Sequence, residues 1–469
     1  MNRTTPLILA VALFMENMDS TVISTALPAI AEDLGTSPIA LKLALTAYLV
    51  ALAVFIPISG WMADRFGAKP VFRAAIGVFM LGSLGCAMSD SLGAIVASRI
   101  VQGAGGAMMT PVARLVLVRS VPRSELVSAM AWLTIPGLIG PMLGPPVGGF
   151  ITTFVSWHWI FLINLPIGLL GIALSGRFLP DTPAVAGGGV DWTGFVLSAL
   201  AASGLVFGLS VVSLPALPVR VGLGTLLVGL LSALLYIRHA RQSPAPLLDL
   251  RLLRNPSFSA AIWGGVLFRI GVGATPFLLP LLFQLGFGLT PFESGSITFV
   301  SAVGAICMKF VARRLLRLGG FRTVLVAASL IGALFIAAAS FFTPETPVAL
   351  IIGTLFFSGF FRSLFFTSAN ALVFADVTEN QASQATAISA SFQQVSIALG
   401  VAVAGGILEL VGFWTGAGLT LGAFSVAFAI VAVITASAAL PFLLMPRDAG
   451  RSVSGHGAED AELGAGRAV

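Results

Sequence analysis

The run PLILAVALFMENMDSTVISTALPA, residues 6–29, opens the chain with enough apolar length to cross a bilayer, yet it carries two carboxylates, Glu16 and Asp19. A span takes about 20 mostly apolar residues. One Arg precedes the run, as in a secretory leader, but the acids interrupt it and no small-residue cleavage site follows. The segment therefore reads as a retained first helix. The rest of the chain agrees: of 469 residues, 57% are hydrophobic and 9% charged, with a mean hydropathy of +1.01. Soluble proteins carry about 25% charged residues, so this chain could not cover a water-facing surface. Soluble enzymes, nucleic-acid binders and disordered scaffolds are excluded, and the chain is an integral membrane protein.

Fourteen spans can be counted, near 6–29, 42–63, 70–88, 91–117, 126–153, 158–179, 192–212, 219–237, 258–284, 292–312, 322–342, 347–373, 384–411 and 416–445. An even count puts both termini on one side, and positive charge marks the cytoplasmic side. With the N-terminus inside, the inner segments gather Arg65, Lys69, Arg73, Arg114, Arg119, Arg123, Arg238, Arg241, Arg251, Arg254, Arg313, Arg314, Arg317 and Arg322, whereas the outer ones hold only Lys42 and Arg220. This bias accounts for the net charge of +6 without any nucleic-acid partner. The expected organisation is a six-helix bundle over 1–180, a linker with two extra helices over 181–255, a second six-helix bundle over 256–446 and a disordered cytoplasmic tail over 447–469. Cys86 and Cys307 lie in apolar runs, and His158, His239 and His456 are scattered, so no disulfide framework or metal site is expected.

A charge at the bilayer centre costs about 2.5–3.5 kcal/mol on insertion scales and is a functional candidate by default. The central charges are Glu16 and Asp19 in helix 1, Arg99 in helix 4, Arg269 in helix 9 and Arg362 in helix 12. These are the first helices of four three-helix units, as expected of an internally repeated transporter with one midplane cavity. The alternative for each arginine is a structural lock against carbonyls. Lys309, near the inner end of helix 10, is better read as a snorkelling anchor. Glu16 and Asp19 are three apart and share a helix face. Two carboxylates there cannot cheaply both ionise, which is the minimum equipment for loading and releasing protons; the alternative is permanent pairing, of Asp19 with Arg99 for example.

Three further segments carry pattern. Gly60-Trp61-Met62-Ala63-Asp64-Arg65-Phe66-Gly67-Ala68-Lys69 follows helix 2, with glycines for a tight turn and Asp64 placed to cap a helix N-terminus. Arg99-Ile100-Val101-Gln102-Gly103 lies in helix 4. Gly140-Pro141-Met142-Leu143-Gly144-Pro145-Pro146-Val147-Gly148-Gly149 puts a small-residue stripe in helix 5. With the Asp19–Pro28 segment and Trp157–Gly168, these resemble the fourteen-helix drug:proton antiporters of the major facilitator superfamily.

The resemblance implies an all-α major facilitator fold, two six-helix bundles rocking about a central cavity, plus two linker helices. It implies Asp19, with Glu16, as proton carrier, tuned by Arg99. Asp64, with Arg65, Gly60, Gly67 and Lys69, would latch the inner gate, and helix 5, through Gly140, Gly144, Pro145, Gly148 and Gly149, would form the bending interface. Gln102, Arg269, Arg362, Trp132 and Asn370 are the candidate substrate-cavity residues. The expected activity is proton-driven export of small amphipathic, drug-like compounds across the inner membrane by a monomer, with a proton gradient and no cofactor. Its runner-up is export of a specific anionic metabolite, suggested by the excess of central arginines. The corresponding second-half loop, Arg317–Arg322, has Arg where the signature has Asp, so a second latch is not expected. The acidic segment 374–383 instead would face the basic first-half loop when the inner gate is shut. An intramembrane enzyme would need a nucleophile with an adjacent base or a metal cluster, and no histidine falls in mid-span.

Overall fold

The computed structural model describes residues 4–120, 126–180, 189–212, 218–378, 381–416, 419–446 and 449. Without water in the bilayer core, every backbone N–H and C=O must be satisfied within its own segment, and the described chain is helical throughout its spans. In chain order these are α1 (Thr4–Thr25), α2 (Lys42–Phe66), α3 (Ala68–Ala87), α4 (Leu92–Ser120), α5 (Leu126–Phe154), α6 (Trp159–Phe178), α7 (Trp192–Val212), α8 (Val219–Gln242), α9 (Pro256–Gly286), α10 (Pro291–Lys309), α11 (Arg314–Phe341), α12 (Val348–Ala375), α13 (Ala382–Thr415) and α14 (Leu421–Leu444). Thirteen are long and apolar enough to cross a membrane; α5, at 29 residues, has the length for the fourteenth at 1.5 Å per residue. Residues 181–188 of the linker and, apart from Ala449, the tail over 447–469 lie outside the described residues.

Local chemistry sets the helix ends. Asn255 accepts from the Ser257 and Phe258 amides at the start of α9, and Thr290 with Glu293 forms a capping box at α10, which satisfies otherwise orphaned donors. Gly67, at φ 88°, turns the chain from α2 into α3. Gly320, at φ 65°, breaks the helical path within the first turns of α11.

Three apolar clusters show where the two halves meet. At the end away from the termini, Leu27, Ile30, Leu41 and Leu45 pack in one cluster with Phe277, Leu281, Val401 and Leu408. Gln284 Nε2 donates across the same seam to the Thr25 carbonyl at 2.9 Å. At the terminal end the clusters separate: Leu9, Phe72 and Val116 belong to a first-half core, and Phe258, Phe321 and Phe442 to another that also takes in Tyr236 of α8. Among the described residues no apolar cluster joins the halves there. The two halves thus share a packed apolar seal at one end. The hairpin α7–α8 is drawn tight where Gly204 and Gly229 approach. Its α7 leans on α2 and α13 through Val50, Val206 and Ala398.

Candidate functional site: a buried charge network in the first bundle

Gly82 and Gly103 let α4 press against α3 and α2: a Cβ on Gly82 would lie 2.5 Å from the Gln102 Cα, and one on Gly103 2.6 Å from the Tyr48 carbonyl oxygen. That approach sets Arg99 and Gln102, one helical turn apart, against α1. Arg99 Nη1 donates to Asp19 Oδ2 at 2.6 Å and to Gln102 Oε1 at 2.7 Å. The other oxygen, Oδ1, accepts from Gln102 Nε2 at 2.9 Å and from Asn164 Nδ2 at 2.8 Å. Ser83 Oγ accepts from both amides and donates to the Phe161 carbonyl at 2.8 Å. Tyr48 lies under the guanidinium, 4.1 Å from Cζ to ring centroid. Asp19 and Arg99 are both fully buried. Every hydrogen bond at the carboxylate points inward to it, from Arg99, Gln102 and Asn164.

Glu16, one turn earlier, is set differently. Thr110 Oγ1 donates to its Oε2 at 2.8 Å; the side chain is half-buried, and no ion pair involves it among the described residues. The two acids thus divide: Asp19 accepts from an arginine and two amides, while Glu16 accepts from a hydroxyl only among the described residues. In the second half, Arg269 Nη2 donates to Asn370 Oδ1 at 3.3 Å and its Cζ sits 5.5 Å from the Phe366 ring centroid. The structure therefore pairs helix 1 with helix 4 and helix 9 with helix 12, rather than collecting the central charges in one cluster. Arg362 is half-buried on α12 and lines a small space inside the second bundle. Trp132 is half-buried on α5.

The loop signature needs two corrections. Gly60 does not bend a turn: it lies inside α2, and a Cβ there would meet nothing within 4 Å. Gly67 alone supplies the turn. Asp64 caps no helix N-terminus; it sits in the last turn of α2, where Arg119 Nη2 of α4 approaches its Oδ1 at 2.6 Å. Arg65 is the next residue of α2, and Lys69 lies in the first turn of α3. The helix-5 stripe packs on α1: a Cβ on Gly140 would come 2.8 Å from the Phe14 carbonyl oxygen, one on Gly144 2.8 Å from Thr21 Cβ, and one on Gly148 2.8 Å from Thr25 Oγ1. Gly149 faces the other half, against Pro291 and Phe292 of α10, and the Pro145 carbonyl abuts Gly295 of α10. In this structure Asp376 accepts from Ser257 Oγ within the second half, and Glu379 lies outside the described residues. Lys309 Nζ donates to Thr367 Oγ1 at 2.7 Å.

Sequence reasoning placed Lys42 in an outer loop. It is instead the first residue of α2, fully buried, with its Nζ 2.6 Å from Glu409 Oε2 of α13. Ser83, Asn164, Thr110 and Glu409 were also missed as members of polar pairs. Asn164 and Glu409 carried a readable signal, a polar group inside an apolar run.

Fourteen helices, a buried charged network inside the first bundle and one sealed end are the features of a membrane transporter. The Major Facilitator Superfamily model matches residues 9–319 and 261–467, and the chain belongs to that superfamily. It is 38% identical over 453 residues to the "Putative multidrug resistance protein MdtD" of Yersinia enterocolitica, covering 94% of this chain and 95% of the relative. It is 37% identical over 401 residues to the "Probable transport protein HsrA" of Haemophilus influenzae, covering 86% of each. Among solved structures, a mutant form of the nucleoside transporter NupG superposes with a TM-score of 0.68 at 15% identity, over 94% of this chain and 99% of that one. A D-xylose–proton symporter does so at 0.67 and 13%, over 95% and 98%. At those identities the likeness is one of fold.

Proposed function

We propose that this chain is a proton-coupled exporter of small amphipathic, drug-like compounds, working as a monomer in the inner membrane with both termini cytoplasmic and no cofactor beyond the proton gradient. The bundles of 1–180 and 256–446 rock about the cavity between them, and the 181–255 hairpin rides on the seam. On that orientation the sealed end is the outer gate, and the molecule stands open toward the cytoplasm. Asp64, held by Arg119 of its own bundle, is then the latch in its released position.

The observation that carries the reading is the unequal setting of the two helix-1 acids. Glu16 is held in no ion pair and can exchange a proton without breaking one. Asp19 is coupled to Arg99, so a change in its charge is felt through Gln102, Asn164 and Ser83 across α1, α3, α4 and α6. Glu16 loads the proton, and the Asp19–Arg99 pair transmits its presence to the bundle. Such coupling matches a transporter that exchanges protons for cargo at the midplane.

The test is reconstitution in proteoliposomes with an internal pH dye. A cationic amphipathic dye should produce a pH change in wild type and none in Glu16→Gln. Dye movement with no accompanying proton movement in wild type would reject the coupling.

A further inference from the structure

We infer that Tyr48 is the positioning residue through which the state of Glu16 reaches the Asp19–Arg99 pair: its hydroxyl donates to Glu16 when that acid is ionised, and its ring carries the change to the guanidinium. This rests on the exporter reading above and supplies the contact between the two acids that the reading needs.

Two glycines of α4 make room for Tyr48. Gly103 admits its backbone, and a Cβ on Gly106 would lie 3.2 Å from its hydroxyl. Thr110, which donates to Glu16 Oε2, follows Gly106 on the same face by one turn, about 6 Å of rise. The ring itself lies under the Arg99 guanidinium, 4.1 Å from Cζ to centroid. One side chain therefore reaches from the arginine toward the Glu16 end of α4. Both helix-1 acids act on the phenol through space, Glu16 more strongly than Asp19.

Tyr48 is 1% exposed, and its hydroxyl has no hydrogen-bond partner among the described residues. Ser294 and Ser391 share that condition; what sets Tyr48 apart is the arginine against its ring and the two acids acting on it. The other tyrosine, Tyr236, donates to the Leu248 carbonyl and accepts from the Leu248 amide. An unpaired buried donor costs free energy. Asp19 already accepts three hydrogen bonds and Glu16 one, so Glu16 is the carboxylate with more room for the phenol. Protonated Glu16 is served by Thr110. Ionised Glu16 gains from a second donor, because hydrogen bonds to the charged form favour it. Turning the hydroxyl toward Glu16 moves the ring against the guanidinium, whose attraction depends on lying over the ring face.

The other groups around Glu16 are few. Asp19 shares its helix, and Arg99 and Arg114 approach from α4. No charged residue occurs in α5, α6 has Arg177 alone at its inner end, and α9 and α10 meet α1 at its outer end.

The experiment is an infrared titration of the purified full-length protein, with ring-deuterated tyrosine marking the phenol bands of its two tyrosines. In wild type, the carboxyl band that Glu16→Gln removes should disappear as pH rises, and a phenol band should shift over the same range. That shift should be absent from Glu16→Gln and from Tyr48→Phe. Tyr48→Phe keeps a ring against Arg99 but removes the donor, so its Glu16 carboxyl should titrate about one pH unit or more higher, tenfold in proton affinity, with no fall in Tm. A packing role alone would leave the titration where it is. If Tyr48→Phe elutes as aggregate, the phenol band of wild type against Glu16→Gln carries the test. An unmoved titration in Tyr48→Phe, a phenol band that ignores pH, or a Glu16 band that never titrates overturns the inference. Failure of the exporter reading looks different: dye crosses proteoliposomes without proton movement, while Glu16 and the phenol still titrate together.

Discussion

Lys42 and Glu409, 367 positions apart in the chain, meet as a buried ion pair with Nζ to Oε2 at 2.6 Å, and they join the first half of the molecule to the second. Their helices, α2 and α13, run side by side at the sealed end. Removing one partner leaves the other charge buried, at a cost of about 3–5 kcal/mol. Opening that end would require the pair to part. Glu409→Gln should therefore shift the population toward the outward-open form. A reporter cysteine at Leu281, in a background of Cys86→Ala and Cys307→Ala, should react with an impermeant maleimide about tenfold faster, the change expected for about 1.4 kcal/mol. The exchanged pair Lys42→Glu with Glu409→Lys should restore slow labelling. Identical labelling in all forms would show that the pair does not hold the seal.

The two acids of α1 should separate by assay. Asp19→Asn removes the counter-charge of the buried Arg99 and should cost about 3–5 kcal/mol, visible as a lowered Tm of the purified protein. Glu16→Gln keeps its hydrogen bond with Thr110 and should change stability by within about 0.5 kcal/mol, while abolishing substrate-induced pH change. A Glu16→Gln protein that still moves protons would transfer the coupling to Asp19.

Helix 5 tests packing. A methyl at Gly144 would press into Thr21, so Gly144→Ala should destabilise by about 1–3 kcal/mol, as overpacking does. Gly60→Ala, in open space inside α2, should be close to neutral. Thermal melts of the two variants side by side decide the matter; equal losses would mean that the loop signature needs its first glycine for a reason other than space.

A pH dependence is expected outside the spans. Burial works against ionisation of Asp191, but donation from the Gly194 amide, His239 and the Leu247 amide outweighs it and holds the carboxyl below the usual aspartate range. His239 Nε2 lies 2.7 Å from Asp191 Oδ1, and the Leu247 amide is 3.1 Å from Oδ2, so the carboxylate ties α8 and the following linker to the foot of α7. A lowered carboxyl contributes stability above its ordinary value of 3.8 and loses it as pH falls through the folded value. Asp191→Asn should therefore melt below wild type at pH 7, with the gap closing as the solution is acidified past the ordinary carboxylate range. Equal melting at pH 7 would remove Asp191 as a tie.

Much of the architecture was legible because a bilayer imposes length and polarity on every span. The runs near 42–63, 192–212 and 347–373 correspond to α2, α7 and α12 within a few residues. The motif residues Asp19, Arg99 and Gln102 were legible as charge and amide inside apolar helices, and the structure brings all three together. Gly60 was misread because a glycine in a signature looks the same whether it bends a turn or lies in a helix. Lys42 was misread because a lysine beside an apolar run resembles an exposed anchor.

Span number, span order and the presence of buried charge were thus matters of composition along a line, since each follows from the free energy of moving one segment into hydrocarbon. Partnership was not. Asn164 reaches Asp19 from 145 positions away, Glu409 reaches Lys42 from the other half, and Arg362 alone among the central arginines is left without a partner among the described residues. Those outcomes depend on how close glycine-bearing helix faces approach one another, a property of packing in three dimensions that no single segment contains.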